Sequence, residues 1–188
     1  MQNTTSNSQI NVMHLMITNA CDHSCPMCCN KLYNIDEIPV PTVKELKTVN
    51  TVCITGGEPF LIKNVANDIA NAIRVHYPNV KNIYVYTSGI ALYEYLRAGC
   101  DIDGFDGITI CPKNSNDWDN VLAMLWEYQD WFKELKSNRL YYFTNDKIGK
   151  EIIKTNEIKG FKIIERYWDL VFKTPNDEIF RRLPIFYV

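Results

Sequence analysis

No stretch of this chain approaches the roughly 18 consecutive apolar residues that a membrane-spanning helix needs, so membrane insertion is not expected. A basic excess is also lacking. The 20 Lys and Arg against 22 Asp and Glu leave a formal net charge of −2, which argues against a long nucleic acid as partner. Neither an internal repeat nor a linker is visible, and 188 residues, 46% of them hydrophobic, suggest a single domain spanning 1–188. That length falls short of the about 250 residues typical of a closed eight-stranded α/β barrel. With no secretory segment ahead of the cysteines and an odd number of them, seven, a disulfide scaffold is not expected. A reducing, cytoplasmic setting is. The polar residues Met1 to Gln9 read as a frayed terminus.

What the chain does have is concentrated near its start: Cys21-Asp22-His23-Ser24-Cys25-Pro26-Met27-Cys28. This spacing lets one loop wrap three thiolates around a single inorganic core while supplying one ligand fewer than a four-iron cluster needs. An iron left open in this way can coordinate and activate a small molecule, whereas a closed site is structural or passes electrons. Zinc is the competing reading, with Cys21, Cys25, Cys28 and either Cys29 or His23 as ligands. Structural zinc sites usually draw on two separate knuckles, however, and no second Cys-x-x-Cys pair follows. Farther on, Thr51-Val52-Cys53-Ile54-Thr55-Gly56-Gly57-Glu58-Pro59 is an apolar run that breaks into two glycines, a carboxylate and a proline. The run reads as a buried parallel strand. Gly56 and Gly57 allow a ligand close to the backbone, and Glu58 offers an acceptor suited to an ammonium group.

Strands and helices alternate along the chain. Strands are expected at Val12 to Thr18, Thr51 to Thr55, Asn82 to Thr87, Gly107 to Cys111, Arg139 to Phe143 and Phe161 to Glu165. A capping box at Thr42-Val43-Lys44-Glu45 opens a short helix ending near Val49. Helical spacing of Ile62, Val65, Ala66, Ile69, Ala70 and Ile73 marks a second helix, halted by Pro78. Ala91 to Ala98 is a third. Val121, Leu125, Tyr128, Phe132 and Leu135 mark one long helix over Asp117 to Lys136. Such alternation predicts an α/β fold with parallel strands and helices packed outside, and the count suits a partial (β/α)6 barrel.

The two motifs together resemble the radical S-adenosylmethionine superfamily. The resemblance implies a [4Fe–4S] cluster held by Cys21, Cys25 and Cys28, with S-adenosylmethionine chelating the open iron. It further implies that Gly56, Gly57, Glu58 and Pro59 grip the methionine amino group. An electron, from a donor such as flavodoxin or ferredoxin, would cleave the cofactor to a 5′-deoxyadenosyl radical that abstracts hydrogen from a small-molecule substrate. Strand ends Tyr86-Thr87-Ser88-Gly89 and Ile110-Cys111-Pro112-Lys113 are similar to those of 7-carboxy-7-deazaguanine synthases. By that likeness Thr87, Ser88 and Lys113 hold the cofactor's carboxylate and ribose, and the substrate is nucleotide- or pterin-like. Cys29 and Asn30 stand where those enzymes have Asp-Thr, and their Gln-Gly-Glu-Gly segment is missing. The stretch His23 to Asn30 is also similar to activases of glycyl-radical enzymes, although the long helix after Asp117 exceeds what those usually carry. No cysteine follows Cys111, so a second cluster is not expected.

Several single residues carry two readings. Met27 stands where the family has an aromatic side chain against adenine, and a thioether can fill that place or simply pack. Cys29 is expected to be a bystander and Cys53 a core thiol. Cys111 is either a filler at the barrel mouth or a hydrogen-atom donor to a substrate radical. The aromatic segment 160–188, with Phe161, Tyr167, Trp168, Phe172, Phe180, Phe186 and Tyr187, is expected to cap the open edge, the alternative being a homodimer contact.

Overall fold

The computed structural model describes residues 10–25, 28–31, 34–167 and 175–187. The expectation of a frayed Met1 to Gln9 lies outside them. Seven strands form one sheet: β1 (Val12–Thr18), β2 (Thr51–Thr55), β3 (Asn82–Thr87), β4 (Gly107–Ile110), β5 (Arg139–Phe143), β6 (Lys162–Arg166) and β7 (Glu178–Tyr187). Their order is β6-β5-β4-β3-β2-β1-β7, and every pairing is parallel. The helices are α1 (Val43–Leu46), α2 (Val65–His76), α3 (Ile90–Arg97), α4 (Ser115–Glu127), α5 (Gln129–Glu134) and α6 (Lys147–Thr155).

Period-two alternation divides the sheet cleanly. One face sends Met13, Leu15, Ile17, Val52, Ile54, Ile83, Val85, Ile108, Ile110 and Leu140 into a single core with Ala66, Ala70 and Ile73 of α2, Leu92 and Leu96 of α3, Trp118 and Val121 of α4 and Phe132 of α5. The other face carries His14, Met16, Cys53, Tyr84, Tyr86, Thr109, Arg139 and Tyr141. Met16, Cys53 and Tyr141 are buried yet stand outside that helix-covered core. No helix covers that face among the described residues, and the seven-stranded all-parallel sheet with its helices on one side has the arrangement of an α/β partial barrel.

Four departures from the sequence expectations have physical causes. The six expected strands become seven, because residues 178–187 add β7 in register beside β1 (Val12 opposite Glu178, His14 opposite Phe180) and cover that edge by strand pairing. Phe180 stacks on His14, with ring centroids 4.5 Å apart, while Phe161 packs edge-on against Phe132. Trp168 and Phe172, and the side chains of Phe186 and Tyr187, lie outside the described residues. The single long helix divides at Tyr128, whose backbone (φ −112°, ψ 21°) leaves the helical region and whose ring meets Tyr93 edge-on. That break turns α5 so that Phe132 enters the core. The helix expected from Ile62 begins only at Val65, because Pro59–Ile62 forms a 3-10 turn capped by Glu58. Finally, α6 was not expected at all.

Candidate functional site

The cysteine loop leaves the carboxyl end of β1 and is bolted to the end of β2. Gly57 N–H donates to Thr18 O at 2.8 Å and Glu58 N–H to Ala20 O at 2.7 Å, so the backbone just before Cys21 is bonded to the Gly-Gly-Glu segment. The approach leaves no room for a side chain. A Cβ on Gly57 would stand 1.9 Å from Ala20 O, and one on Gly56 2.3 Å from Thr18 O, with Gly56 also at φ +146°. Asn30, beyond the third cysteine, closes the loop by donating to Gly56 O at 3.1 Å. Cys28 N–H donates to Cys25 O, and the Lys31 ammonium reaches the same carbonyl at 2.8 Å.

A second anchor was invisible in the sequence. His23 Nε2 lies 2.9 Å from Oδ2 of Asp117, a fully buried carboxylate in the first turn of α4, and Nδ1 lies 2.6 Å from Asp22. Burial disfavours the charged imidazole, but the hydrogen bonds it donates to Asp117 and Asp22 outweigh that and raise the His23 pKa. Asp117 also accepts Lys113 N–H at 2.7 Å, so one buried carboxylate ties the cysteine loop to the end of β4. The ligand atoms of Cys21, Asp22 and His23 lie within 4.8 Å of one another. Both ring nitrogens of His23 are nonetheless committed to carboxylates, which argues against His23 as a zinc ligand.

The donor set fits an iron–sulfur core. Burial raises the Cys21 thiol pKa, the Asp22, Glu58 and Cys25 charges add to it, and only a backbone hydrogen bond at His23 opposes. Cys25 is raised by burial too, and by Cys28, Asp117 and Cys111, against the nearby Lys113 ammonium. Cys21 and Cys25, and Cys25 and Cys28, feel each other's charge, and thiols so coupled ionise together readily only around a cationic core. Met27 lies outside the described residues, as does the side chain of Cys29.

Glu58 is 1% exposed. Its carboxylate accepts Ser88 N–H at 2.8 Å and Ser88 Oγ–H at 3.1 Å on one oxygen and Phe60 N–H at 3.4 Å on the other, with the Thr87 hydroxyl adding to these. Burial raises its pKa, and those donors counter the rise in part. Thr87 and Ser88 therefore converge on Glu58 at the junction of β2 and β3. Pro59 is buried beside them at the start of its 3-10 turn. Lys113 places its ammonium 5.0 Å from the Phe143 ring centroid at the end of β5. Cys111 is half-buried, donates its N–H to Thr87 O at 2.9 Å, and stands near enough to Cys25 to influence its charge. Cys53 is a core thiol, its pKa pushed up to about 12 by burial.

A parallel α/β partial barrel with a three-cysteine loop at the carboxyl ends of its strands describes a protein class rather than one reaction. No family model matches the chain. Among curated proteins it is similar to a probable GTP 3′,8-cyclase of Methanococcus aeolicus, 27% identical over 113 residues, which cover 55% of this chain and 38% of that protein. The chain thus spans well under half the length of the curated relative it matches. The likeness supports the radical S-adenosylmethionine superfamily at that level and no finer assignment.

Proposed function

We propose that this chain is a radical S-adenosylmethionine enzyme acting on a small-molecule substrate, with Cys21, Cys25 and Cys28 as the ligands of a [4Fe–4S] cluster. One observation carries the reading: the Gly56-Gly57-Glu58 segment is bonded through its backbone to Thr18 and Ala20, so the cysteine motif and the glycine motif form one rigid unit. When bound, the cluster would supply the electron that cleaves the cofactor's sulfonium and so generates a hydrogen-abstracting radical. The protein's own part is to hold and exclude. Glu58 takes two of its donors from rotatable hydroxyls, on Thr87 and Ser88, so one can give way to an ammonium without moving the backbone. Lys113 brings a positive charge beside Cys25, suited to a cofactor carboxylate. In the same reading Cys111, whose N–H donates to Thr87 O, would return a hydrogen atom to a substrate radical, and the thiyl left behind would take an electron from the external donor and a proton.

A nucleotide- or pterin-like substrate is the finer form of the proposal. It is supported by the strand-end likeness to 7-carboxy-7-deazaguanine synthases and by the relative named for GTP. The test is anaerobic incubation of the iron-reconstituted chain with dithionite and S-adenosylmethionine. Formation of 5′-deoxyadenosine is expected, and its absence from a chain carrying a full cluster would refute the proposal.

A further inference from the structure

On the face of the sheet turned away from the helices, two arginines converge on one tyrosine. The Arg166 guanidinium lies 4.8 Å from the Tyr141 ring centroid, and Arg139 hydrogen-bonds with Tyr141 while lying 5.9 Å from the centroid of Tyr84. Strand register places Tyr86, Thr109 and Arg139 in one row, and Arg166 beside Phe143, the ring that Lys113 touches. Arg166 thus stands at the carboxyl end of the sheet, on the Lys113 side, and Arg139 two pleats deeper on the same face. Arg139 is half-buried while Arg166 faces solvent, and a half-buried guanidinium is ordinarily offset by a carboxylate. Arg74 and Arg181 follow that rule, meeting Asp106 and Glu45. Arg139 and Arg166 meet no carboxylate among the described residues. The acidic groups on the neighbouring strands are already engaged, Glu165 by Lys150 and Glu178 by His14.

We propose that Arg139 and Arg166, framed by Tyr84, Tyr86 and Tyr141, form an oxyanion subsite that takes a carboxylate or phosphate of the substrate. Each guanidinium offers paired donors matched to either group, with Arg166 at the solvent side and Arg139 among the phenols. Calling the anion a substrate group rests on the radical-enzyme reading; the anion site itself does not. The test is calorimetric titration of the full chain, without S-adenosylmethionine or reductant, using phenyl phosphate, benzoate and uncharged benzamide. One of the two anions should bind at least tenfold more tightly than benzamide, and the stronger one identifies the group. Arg139→Gln and the solvent-facing Arg166→Gln should each weaken it tenfold or more while circular dichroism stays unchanged. No anion binding, no preference over benzamide, or unchanged affinity in either variant overturns the proposal. Because the assay needs neither cluster activity nor cofactor, its failure leaves the radical reading standing, and failure of the radical assay leaves this site standing.

Discussion

Replacing Gly57 by alanine tests how tightly the cysteine loop is docked. The new Cβ would stand 1.9 Å from Ala20 O, 2.5 Å from Ala20 C and 2.9 Å from Asn19 O. Reaching even 3.0 Å requires a shift of at least 1.1 Å (3.0 − 1.9) in backbone, not in a flexible side chain. That shift lengthens the bonds from Gly57 to Thr18 and from Glu58 to Ala20, each contributing about 0.5–1.5 kcal/mol. Overpacking adds about 1–3 kcal/mol. A total destabilisation of about 2–6 kcal/mol is expected, together with loss of iron binding, since Ala20 precedes Cys21. Gly99→Ala is the control, because its φ of +74° strains an alanine while nothing lies within 4 Å of the added Cβ. It should cost about 1–2 kcal/mol and leave iron binding intact. Urea unfolding of the apo-chains, with iron content after anaerobic reconstitution, reads both effects. If Gly57→Ala unfolded within about 0.5 kcal/mol of the parent and kept its iron, the docking argument would be wrong.

Three further outcomes follow from the same geometry. Glu58→Gln preserves shape but removes the charge, so affinity for S-adenosylmethionine should fall about tenfold or more by calorimetry, with the cluster retained; equal affinity would remove Glu58 from the cofactor grip. Asp117→Ala strips the acceptor from His23 and from Lys113 N–H, so it should cost about 1–3 kcal/mol and reduce iron retained after gel filtration; full retention would show that the latch does not position the loop. Arg181 holds the Glu45 carboxyl down to about 2 from an ordinary value of 4.5, so this pair's stabilisation is complete above that ordinary value and is lost as pH falls through the folded value. The stability gap between parent and Glu45→Gln should therefore shrink from pH 5.5 to pH 3 in urea titrations, and a gap that widened would contradict the sign.

Strands β1, β2, β3 and β5 were legible to the residue because each is a short apolar run bounded by turn residues, as parallel strands buried by helices must be. The missed elements depend on contacts that a local pattern does not carry. Gly149 reads as a helix breaker, yet its missing Cβ lets α6 approach Trp118, whose ring would stand 2.6 Å from one. Asp146 caps that helix through Gly149 N–H and accepts the Trp118 indole N–H. In β7, Arg181, Arg182 and Pro184 argue against a strand interior, but they suit an edge strand whose Arg182 is bonded to the backbone of Ile38 and Pro39. At the site, the cysteines and the Gly-Gly-Glu-Pro segment were readable as motifs. The His23–Asp117 anchor joins residues 94 apart in sequence and had no local signal. The bond from Ser88 to Glu58 joins the ends of β2 and β3, strands that lie side by side, and likewise had no local signal.

Electron paramagnetic resonance of the anaerobically reconstituted, dithionite-reduced chain, recorded before and after adding S-adenosylmethionine, addresses the central claim most directly. A reduced four-iron signal whose g-values shift on addition is predicted, with the signal abolished in Cys21→Ala, Cys25→Ala and Cys28→Ala and kept in Cys29→Ala. A cluster signal indifferent to the cofactor, or one that survives loss of Cys28 but not of Cys29, would contradict it.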